Sequence, residues 1–318
     1  MGAIAGSAIL ECSQTDTLDI VTVTINNSCN LSCPHCYLQY DDATPESFDR
    51  NILELIARSS FRHLAIVGKE PFLDSKSLLL CQELADVCID RGISVSVVTN
   101  GLNGASVPKS LLQQFAFVDV SLDSGRWSYS GYRQGSLSKL ERSLSWIADV
   151  GTRINSLNVM NSTTINFLGE ILHVRELAPF HRIVFSPYLR TSNHGINTVD
   201  TVSLATILDR LAISAFRETK NTTLLLHGEH LRQDGITQEA FWSLVDGHGL
   251  RGHVRLLEDH PLKYGVIRVT YDGFVMSPSQ ALHTRLYRLD TNVRVSDLSR
   301  TTLEAAFNQI GKASLSIQ

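Results

Sequence analysis

The sequence predicts an α/β fold built on a parallel β-sheet. Six short runs rich in Val, Ile, Leu and Thr are separated by amphipathic stretches with apolar residues at helical spacing. Strands that alternate with helices form parallel sheets, because each crossover between parallel strands needs roughly a helix's length of chain. The hydrophobic fraction is 43% of 318 residues, which is enough for a sizeable core. We therefore expect one large α/β unit whose functional loops lie at the carboxyl ends of its strands.

The predicted elements follow one another at short intervals. The first strand, residues 18–25, leads through a cysteine-rich loop to a helix predicted to begin at Thr44-Pro45-Glu46, with Thr44 as its N-cap. Gly92 directly follows the second predicted helix and suits its C-terminal cap. Further strands are predicted at residues 62–67, 93–99, 117–122, 153–159 and 182–188, and further helices at residues 75–91, 108–115, 136–150 and 168–177.

The regular alternation fades after about residue 190, so the remaining chain is predicted to form a small α+β domain. An alternating run at residues 264–276 predicts a hairpin around Asp272-Gly273, because Asp-Gly suits a tight hairpin turn. Helices are expected at residues 203–217, 237–245 and 302–310, and a short strand at residues 222–227. The expected organisation is a lead-in of residues 1–17, a core of residues 18–190 and a C-terminal domain of residues 191–318.

The composition argues against several classes of partner. The net charge is −4, with 28 Lys and Arg against 32 Asp and Glu, so no basic surface for nucleic acid is expected. No apolar run reaches membrane-spanning length, and no charged-then-apolar leader begins the chain. The six cysteines lack the paired, evenly spread spacing of a disulfide scaffold. We expect a protein of the reduced cytoplasm, without nucleic-acid or membrane partners.

Three cysteines stand close together directly after the first predicted strand. Cys29, Cys33 and Cys36 follow a C-x3-C-x2-C spacing and make up half of the six cysteines in the chain. Three thiolates on one short loop can bind three corners of a cubane iron–sulfur cluster, which leaves the fourth iron without a protein ligand. An open coordination position is typical of a catalytic metal site. Two alternatives stay open at this point: three free thiols, or a zinc site in which His35 supplies a fourth ligand.

The cysteine spacing, followed by the aromatic Tyr37, resembles the cluster motif of the radical S-adenosylmethionine (SAM) superfamily. The resemblance implies a TIM-like partial (β/α)6 barrel over about residues 18–190. It also implies one [4Fe-4S] cluster, with Cys29, Cys33 and Cys36 as metal ligands and catalytic residues, and SAM as the cofactor bound to the open iron. In that superfamily an electron from the reduced cluster cleaves SAM, and the resulting 5′-deoxyadenosyl radical abstracts hydrogen from the substrate.

The resemblance extends to the loops after the later strands. Residues 68–71, Gly-Lys-Glu-Pro, are similar to the family's Gly-Gly-Glu-Pro, whose backbone and carboxylate hold the amino group of SAM. Lys69 departs from this pattern; it is expected to point away, to pair with Glu70 or to reach the substrate. For the other loop residues the alternative is ordinary turn chemistry, and for the arginine a solvated surface position. The cofactor-binding residues that the resemblance implies are Tyr37, Gly68, Lys69, Glu70, Pro71, Thr99, Asn100, Ser121, Asp123 and Arg133.

The predicted C-terminal hairpin resembles the auxiliary domain called SPASM, or its shortened twitch form, in which a similar Asp-Gly turn is followed by Pro-Cys. Here residues 276–279 read Met-Ser-Pro-Ser, and no cysteine follows Cys88 in the sequence. The resemblance therefore implies a SPASM-like domain without auxiliary clusters. Cys81 and Cys88 lie seven residues apart on one predicted helix and are interpreted as buried core residues.

We therefore expect an enzyme, oxidoreductase-like or lyase-like, that cleaves SAM reductively and abstracts hydrogen from a small molecule or a short peptide. The expected setting is natural-product biosynthesis, the expected outcome is oxidation, rearrangement or bond formation, and the expected electron source is a flavodoxin or ferredoxin. The first alternative is a maturase or epimerase of ribosomally synthesised peptides. The alternative from another class is a non-catalytic protein that binds an iron–sulfur cluster or zinc.

Overall fold

The structure is a computed structural model, and it describes residues 6–36, 47–189, 199–257, 261–277, 293–294 and 302–315. The strands of these residues form one mixed sheet. No helix among them is both long and apolar enough to cross a membrane. The strands are β1 (Thr15–Thr24), β2 (His63–Val67), β3 (Ser94–Thr99), β4 (Phe117–Ser121), β5 (Arg153–Met160), β6 (Arg182–Pro187), β7 (Thr222–His227), β8 (Val254–Leu257), β9 (Tyr264–Val269), β10 (Phe274–Met276) and β11 (Val293–Arg294).

The sheet confirms the predicted α/β class. Strands β1 to β8 lie side by side in chain order, and every neighbouring pair among them is parallel. β9 pairs in parallel with the free side of β1, and β10 and β11 then pair antiparallel beyond it. All six strands predicted for the core are present, with ends that shift by only a few residues. A parallel sheet in this order places the carboxyl ends of β1 to β6 along one rim.

The helices cover one face of this sheet with their apolar sides. Leu55, Leu84, Leu144 and Leu208, each from a different helix, belong to the same buried cluster as the side chains on that face of the strands. Such packing is the usual way for a parallel sheet to bury its surface. The helices are α1 (Asn51–Arg58), α2 (Ser75–Ile89), α3 (Lys109–Gln114), α4 (Tyr129–Tyr132), α5 (Leu137–Asp149), α6 (Leu168–Leu172), α7 (Leu204–Ile213), α8 (Gly228–Asp234), α9 (Gln238–Gly247) and α10 (Leu303–Leu315).

The first helix begins later than predicted. Residues 47–49 are described and are not helical, and α1 starts at Asn51. Asp49 accepts hydrogen bonds from the Asn51 backbone N–H (3.0 Å) and amide side chain (2.8 Å), while its own N–H donates to the Tyr271 carbonyl at 2.8 Å. This contact with the C-terminal hairpin replaces a helical hydrogen bond, which a local pattern cannot reveal. The predicted N-cap, Thr44, lies outside the described residues.

The helix predicted at residues 168–177 is interrupted, and only its first five residues are α-helical. A 3-10 turn at Thr164–Phe167 precedes α6, and a second 3-10 turn follows at Val174–Glu176. The ring nitrogen Nδ1 of His173 bonds the Gly169 carbonyl at 2.6 Å, so the side chain caps a carbonyl at the end of α6. The α-helix therefore stops after five residues.

The alternation of helices and strands continues past residue 190, contrary to the sequence expectation. β7 and β8 extend the parallel sheet beyond β6. β8 was not predicted, because Val-Arg-Leu-Leu is too short to show a strand period. The hairpin of β9 and β10 turns through Gly273 as predicted, with φ +82°. The chain after residue 190 thus adds strands at both edges of the sheet, and a domain boundary at this point stays a prediction.

The N-terminal segment lies against the sheet face that the helices do not cover. Residues Gly6–Glu11 form a 3-10 helix, and its Ala8 and Ile9 are buried among alternate side chains of the strands. The Ser7 backbone N–H and hydroxyl donate to the two carboxylate oxygens of Asp119 on β4, at 2.6 and 2.7 Å. The buried members of this cluster on the strands are Ile20, Ala65, Val67, Val98, Phe117, Leu157, Val184, Leu225, Leu257, Tyr264 and Val266.

These contacts show that the sheet is strongly curved. The segment reaches Asp119 on β4, and its neighbour Cys12 accepts a hydrogen bond at its carbonyl from Arg255 on β8 at 2.5 Å. It also meets β1, where the Cys12 thiol donates to Asp19 at 3.5 Å. In a flat sheet β1 and β8 would lie about 34 Å apart, whereas six residues of 3-10 helix span about 12 Å. The parallel strands therefore wrap around the segment as in a partial barrel.

We expect Gly6→Ala to lower the free energy of unfolding more than Gly92→Ala does. Both glycines have positive φ, +53° and +71°, so both substitutions strain the backbone by about 1 kcal/mol. An added methyl group at Gly6 would also overlap Oδ2 of Asp119, whereas nothing lies within 4 Å of one at Gly92. Overpacking adds about 1–3 kcal/mol. Urea unfolding monitored by circular dichroism measures the difference; equal losses would contradict the interior position of the segment.

Candidate functional site

Loops at the carboxyl ends of the parallel strands surround one cavity. The loop after β1 contributes Cys29, Cys33 and Cys36 to its wall, and the loop after β2 contributes Gly68 and Lys69. The fold thus brings together residues that lie far apart in the sequence, as the rule for parallel sheets predicts. The other predicted site residues in the wall are Thr99, Asn100, Ser121, Asp123 and Arg133, and apolar wall residues include Leu31, Val98, Leu157, Val184, Leu189 and Leu225.

Three predicted site residues are not among the wall residues. Tyr37 lies outside the described part of the chain. Glu70 is fully buried behind the wall. Pro71 is also buried, and its carbonyl accepts a hydrogen bond from the Cys81 thiol at 3.7 Å. The Gly-Lys-Glu-Pro loop therefore faces the cavity with its first two residues and the core with its last two.

The three cysteines lie on a tightly turned loop, and none of them forms a disulfide. The Cys36 N–H donates to the Cys33 carbonyl at 3.1 Å. Burial raises the pKa of Cys29 and that of Cys33 above the ordinary thiol value. In the described part of the chain no three His, Cys, Asp or Glu side chains form a site for a single metal ion. That finding concerns one ion; in a cubane cluster three cysteines bind three different irons, so their sulfurs need not meet at one point.

The histidine within the cysteine loop is held from both sides of its ring. Nε2 of His35 lies 3.1 Å from Oδ2 of Asp123, and Nδ1 lies 2.8 Å from the hydroxyl of Tyr132. The two rings also stack, with centroids 5.4 Å apart. The hydroxyl of Tyr132 accepts a hydrogen bond from Nδ2 of Asn161 at 2.7 Å. Both ring nitrogens of His35 are therefore engaged, and neither is free to supply the fourth ligand of a zinc site.

The hydrogen bonds around Tyr132 assign the proton on His35. Oδ1 of Asn161 accepts from the Thr163 and Thr164 N–H groups at 2.9 and 3.0 Å, so its Nδ2 must be the atom that donates to Tyr132. The tyrosine hydroxyl then has its own hydrogen left to donate, and Nδ1 of His35 accepts it. His35 is consequently assigned as the tautomer that carries hydrogen on Nε2 and donates it to Asp123.

Asp123 is the point at which the surrounding loops meet. It is 1% exposed, its Oδ2 accepts from the Arg133 guanidinium and from His35, and its Oδ1 accepts from the Val159 N–H at 2.6 Å. Burial alone would raise the pKa of Asp123, but His35 and Arg133 outweigh burial and lower that pKa to about 2. The carboxylate therefore stays charged, and it joins the cysteine loop to α4 and β5.

Arg133 is buried rather than solvated, with 5% of its surface exposed. Burial disfavours its charge, but the neighbouring Cys33 and Asp123 raise the pKa of Arg133 above its ordinary value. Its Nε is buried and has no hydrogen-bond partner among the described residues. A buried guanidinium with an unused N–H in a cavity wall is chemically suited to bind a carboxylate.

Glu70 uses both carboxylate oxygens within the protein. Oε1 accepts from the Thr99 hydroxyl at 2.5 Å and the Phe72 N–H at 2.9 Å, and Oε2 accepts from the Asn100 N–H at 2.7 Å. Burial raises the pKa of Glu70, and these three hydrogen bonds oppose that effect. The carboxylate thus fixes the loop after β3. Direct contact with the amino group of SAM stays a prediction.

Asn26, directly after β1, fixes the neighbouring loop and was missed by sequence reasoning. Its Nδ2 donates to the Glu70 backbone carbonyl at 2.7 Å and to the Ser77 hydroxyl at 3.0 Å. The backbone carbonyl of Asn26 accepts from the Lys69 N–H at 3.4 Å. A methyl group added at Gly68 would come within 2.5 Å of Oδ1 of Asn26, so only glycine lets the two loops approach this closely.

Lys69 is half-buried in the cavity wall. No described residue accepts a hydrogen bond or forms an ion pair with its ammonium group. Pairing with Glu70, one of the three expectations, is therefore not seen, because that carboxylate bonds Thr99, Phe72 and Asn100 instead. The ammonium group remains available to the contents of the cavity.

Comparison with solved structures identifies the fold. The chain is similar to Streptococcus suis SuiB bound to S-adenosylmethionine, with 12% identity, a TM-score of 0.59, and coverage of 90% of this chain and 65% of that one. It is also similar to anSMEcpe with bound AdoMet and Cp18Cys peptide, with 15% identity, a TM-score of 0.57, and coverage of 95% and 84%. Both are radical SAM enzymes. This chain has the radical SAM fold.

A third similar structure of the radical SAM fold is methylornithine synthase (PylB), with 11% identity, a TM-score of 0.51, and coverage of 94% of this chain and 83% of that one. This chain spans only 60–65% of the length of the SuiB chains. No protein-family model matches the sequence, and no curated protein matches it. At these identities the comparisons establish the fold, and the activity is inferred from the site.

Sequence reasoning also missed Tyr132 and Asn161, which orient His35 in this radical SAM fold. Asn161 directly follows β5, and Asn26 lies just beyond β1, so each is a polar residue at a strand's carboxyl end. Asn100 and Asp123, which the family resemblance had indicated, lie after strands in the same way, so this position was an available signal for Asn161 and Asn26. Tyr132 carries no such signal, because it lies on the short helix α4 and reaches His35 only through the fold.

We expect Tyr132→Phe to lower the free energy of unfolding by about 1–3 kcal/mol, because it leaves Nδ1 of His35 and Nδ2 of Asn161 without their partner. Tyr129→Phe is the matched control. The hydroxyl of Tyr129 is buried but has no hydrogen-bond partner among the described residues, so its removal should be neutral or stabilising. Chemical denaturation measures both variants, and equal effects would argue against the assigned network.

Proposed function

We propose that this protein is a radical SAM enzyme with one [4Fe-4S] cluster. One observation carries the proposal: the cysteines of the C-x3-C-x2-C motif line the same cavity as the buried Arg133, at the strand ends of a radical SAM fold. The fold supplies the architecture, and the motif supplies three thiol ligands on one loop. Neither a free-thiol loop nor a zinc site accounts for both.

The residues of the cavity fit such a cluster. Cys29, Cys33 and Cys36 lie on one loop and are not in disulfides, and His35 is excluded as a ligand by its bonds to Asp123 and Tyr132. Three thiolates leave one iron of a cubane open. When bound, the cluster and SAM together supply the electron transfer and radical chemistry. The protein has to bind, orient and shield them.

The cavity also fits the charged end of SAM. Nε of Arg133 is the buried, unpaired donor that a carboxylate requires, and Asp123 holds the guanidinium in place through Nη1. Gly68 and Lys69 line the wall, and their backbone carbonyl oxygens are groups that can accept from an ammonium group. The buried carboxyl group of Glu70 lies directly behind this loop. The contacts proposed for Thr99, Asn100 and Ser121 with the rest of the cofactor rest on their place in the wall.

The apolar part of the wall suits a reaction that must exclude water. Leu157, Val184 and Leu225 lie on β5, β6 and β7, on the inner face of the curved sheet. A reactive radical needs surroundings without solvent or stray hydrogen donors. The same side chains would keep bulk water from the cofactor and hold the substrate against it.

The three cysteines outside the C-x3-C-x2-C motif lie away from this cavity. Their position limits how a substrate radical could be quenched. The Cys12 thiol contacts Asp19, the Cys81 thiol bonds the Pro71 carbonyl, and Cys88 is buried in α2. None of them is a wall residue, so none is placed to return hydrogen to a substrate as an epimerase thiol would. We therefore favour oxidation, rearrangement or bond formation over epimerisation.

A peptide is the substrate class that the neighbours favour. SuiB has been solved with its precursor peptide SuiA, and anSMEcpe with Cp18Cys and Kp18Cys peptides. PylB, a methylornithine synthase, supports a small amino-acid-like substrate as the second candidate. A flavodoxin or ferredoxin as electron donor and a cytoplasmic location complete the proposal. Adding a peptide library or free amino acids to the reduced enzyme with SAM, and measuring extra 5′-deoxyadenosine, would separate the two substrate classes.

We expect the anaerobically reconstituted protein to bind about four irons per chain, the content of one cubane. Changing Cys29, Cys33 and Cys36 to Ala should remove the iron and the brown chromophore together. The control changes Cys12, Cys81 and Cys88 to Ala and should retain both. Iron analysis and visible spectra measure the outcome. Iron retained by the first triple variant, or a colourless zinc protein, would overturn the proposal.

We expect Arg133→Gln to weaken SAM binding about tenfold to hundredfold, equivalent to a charged hydrogen bond of about 1.5–3 kcal/mol. Arg126→Gln is the control, since Arg126 is half exposed and pairs with Glu141 outside the cavity. Equilibrium binding of SAM to the reconstituted proteins, matched for iron content, measures both. Unchanged affinity in Arg133→Gln would show that Arg133 does not bind the carboxylate of SAM.

A further inference from the structure

The amide of Asn100 is oriented toward a cysteine rather than toward the middle of the cavity. Its side chain is 3% exposed, and its Oδ1 accepts from the Leu102 N–H at 2.9 Å, which fixes the direction of the amide. Nδ2 then donates to Oδ1 of Asn30 at 2.7 Å and lies 3.7 Å from Sγ of Cys29. An amide NH2 has two hydrogens, so it can make both contacts at once.

The sulfur of Cys29 therefore faces two N–H donors. The second is the backbone N–H of Leu31, at 3.4 Å. The two donors come from different parts of the chain, one from the cysteine loop itself and one from the loop after β3. N–H groups directed at sulfur stabilise a thiolate, and they do so more strongly as negative charge on the sulfur increases.

The buried carboxyl group of Glu70 holds Asn100 in this position. Oε2 of Glu70 accepts from the Asn100 N–H at 2.7 Å, and Oε1 accepts from the Thr99 hydroxyl at 2.5 Å. That hydroxyl oxygen in turn accepts from the Gly101 N–H at 3.0 Å. The turn after β3 is thereby bonded at three successive residues, so the amide of Asn100 has little freedom to turn away from Cys29.

We propose that Asn100 tunes the cluster through Cys29, and that Glu70 is a positioning residue that acts through Asn100. The inference rests on the proposed function, because it requires the cluster to be bound at Cys29. Hydrogen bonds to ligand sulfurs raise the reduction potential of iron–sulfur clusters, since they stabilise the more negative, reduced state. Glu70 thus acts on the cluster indirectly, by positioning Asn100 from behind the cavity wall.

The test is a redox titration of the reconstituted protein followed by electron paramagnetic resonance. In Asn100→Ala the ratio of reduced to oxidised cluster at a fixed potential should fall threefold to tenfold, tenfold being 59 mV for one electron. Asn100→Asp keeps the acceptor for the Leu102 N–H but turns a carboxylate oxygen toward the sulfur. The reduction potential of the cluster in this variant should therefore fall further than in Asn100→Ala. Glu70→Gln should shift the potential the same way, because a glutamine NH2 cannot accept from the Asn100 N–H.

Asn103→Ala is the matched control. Asn103 lies in the same loop, and its amide donates to the Phe72 and Leu73 carbonyls at 3.0 Å each, without contact to a cysteine. The reduction potential of the cluster in Asn103→Ala should equal that in the wild type. Loss of iron from both Asn100 variants, with native circular dichroism and full iron in Asn103→Ala, would also support the proposal.

Two results would overturn the inference while leaving the proposed function intact. One is an unchanged potential in Asn100→Ala and Asn100→Asp, both with about four irons. The other is weaker SAM binding by these variants at unchanged potential, which would make Asn100 a contact of SAM instead. A wild-type protein that takes up no cluster would overturn the proposed function itself, and the inference with it.

Discussion

The buried carboxylate of Asp123 holds the candidate site together. It accepts from His35 in the cysteine loop, from Arg133 after α4 and from the Val159 N–H on β5. Burying a charge is costly unless hydrogen bonds and opposite charge compensate it, and here both are present. Removing the carboxylate would leave a buried guanidinium and a histidine N–H unpaired. The positions of the cysteine loop and the arginine therefore depend on each other.

A second buried carboxylate, Glu70, supports the same cavity from the other side. It holds the loop after β3 through Thr99 and Asn100, while Asn26 holds the loop that contains Glu70 itself. The ends of three strands, β1, β2 and β3, are thus linked by hydrogen bonds of buried or half-buried side chains. Such support is what keeps the groups of a site in fixed positions without help from a ligand. The ammonium group of Lys69 differs from these groups, because none of the described residues pairs with its charge.

The N-terminal segment performs a related task for the fold. Its Ala8 and Ile9 fill the concave side of the sheet, and Ser7 donates two hydrogen bonds to the buried carboxyl group of Asp119, which otherwise accepts only from Asn155 among the described residues. Gly6 lies at the end of this segment and contributes to the cavity wall. The filling of the sheet's interior and the floor of the site are therefore formed by the same few residues.

The sequence by itself determined the parallel α/β core and the cysteine loop, because strand periodicity and a C-x3-C-x2-C spacing are local patterns. The resemblance of the later loops to those of the radical SAM superfamily also indicated Asn100 and Asp123. Only the tertiary structure decided that Glu70 lies behind the wall, because its partners are residues 29 and 30 positions away along the chain. The contact of His35 with Tyr132 spans 97 positions, and that of Ser7 with Asp119 spans 112. No local pattern encodes contacts at such separations; they exist because the curved sheet brings distant loops to one rim and the N-terminal segment to its interior.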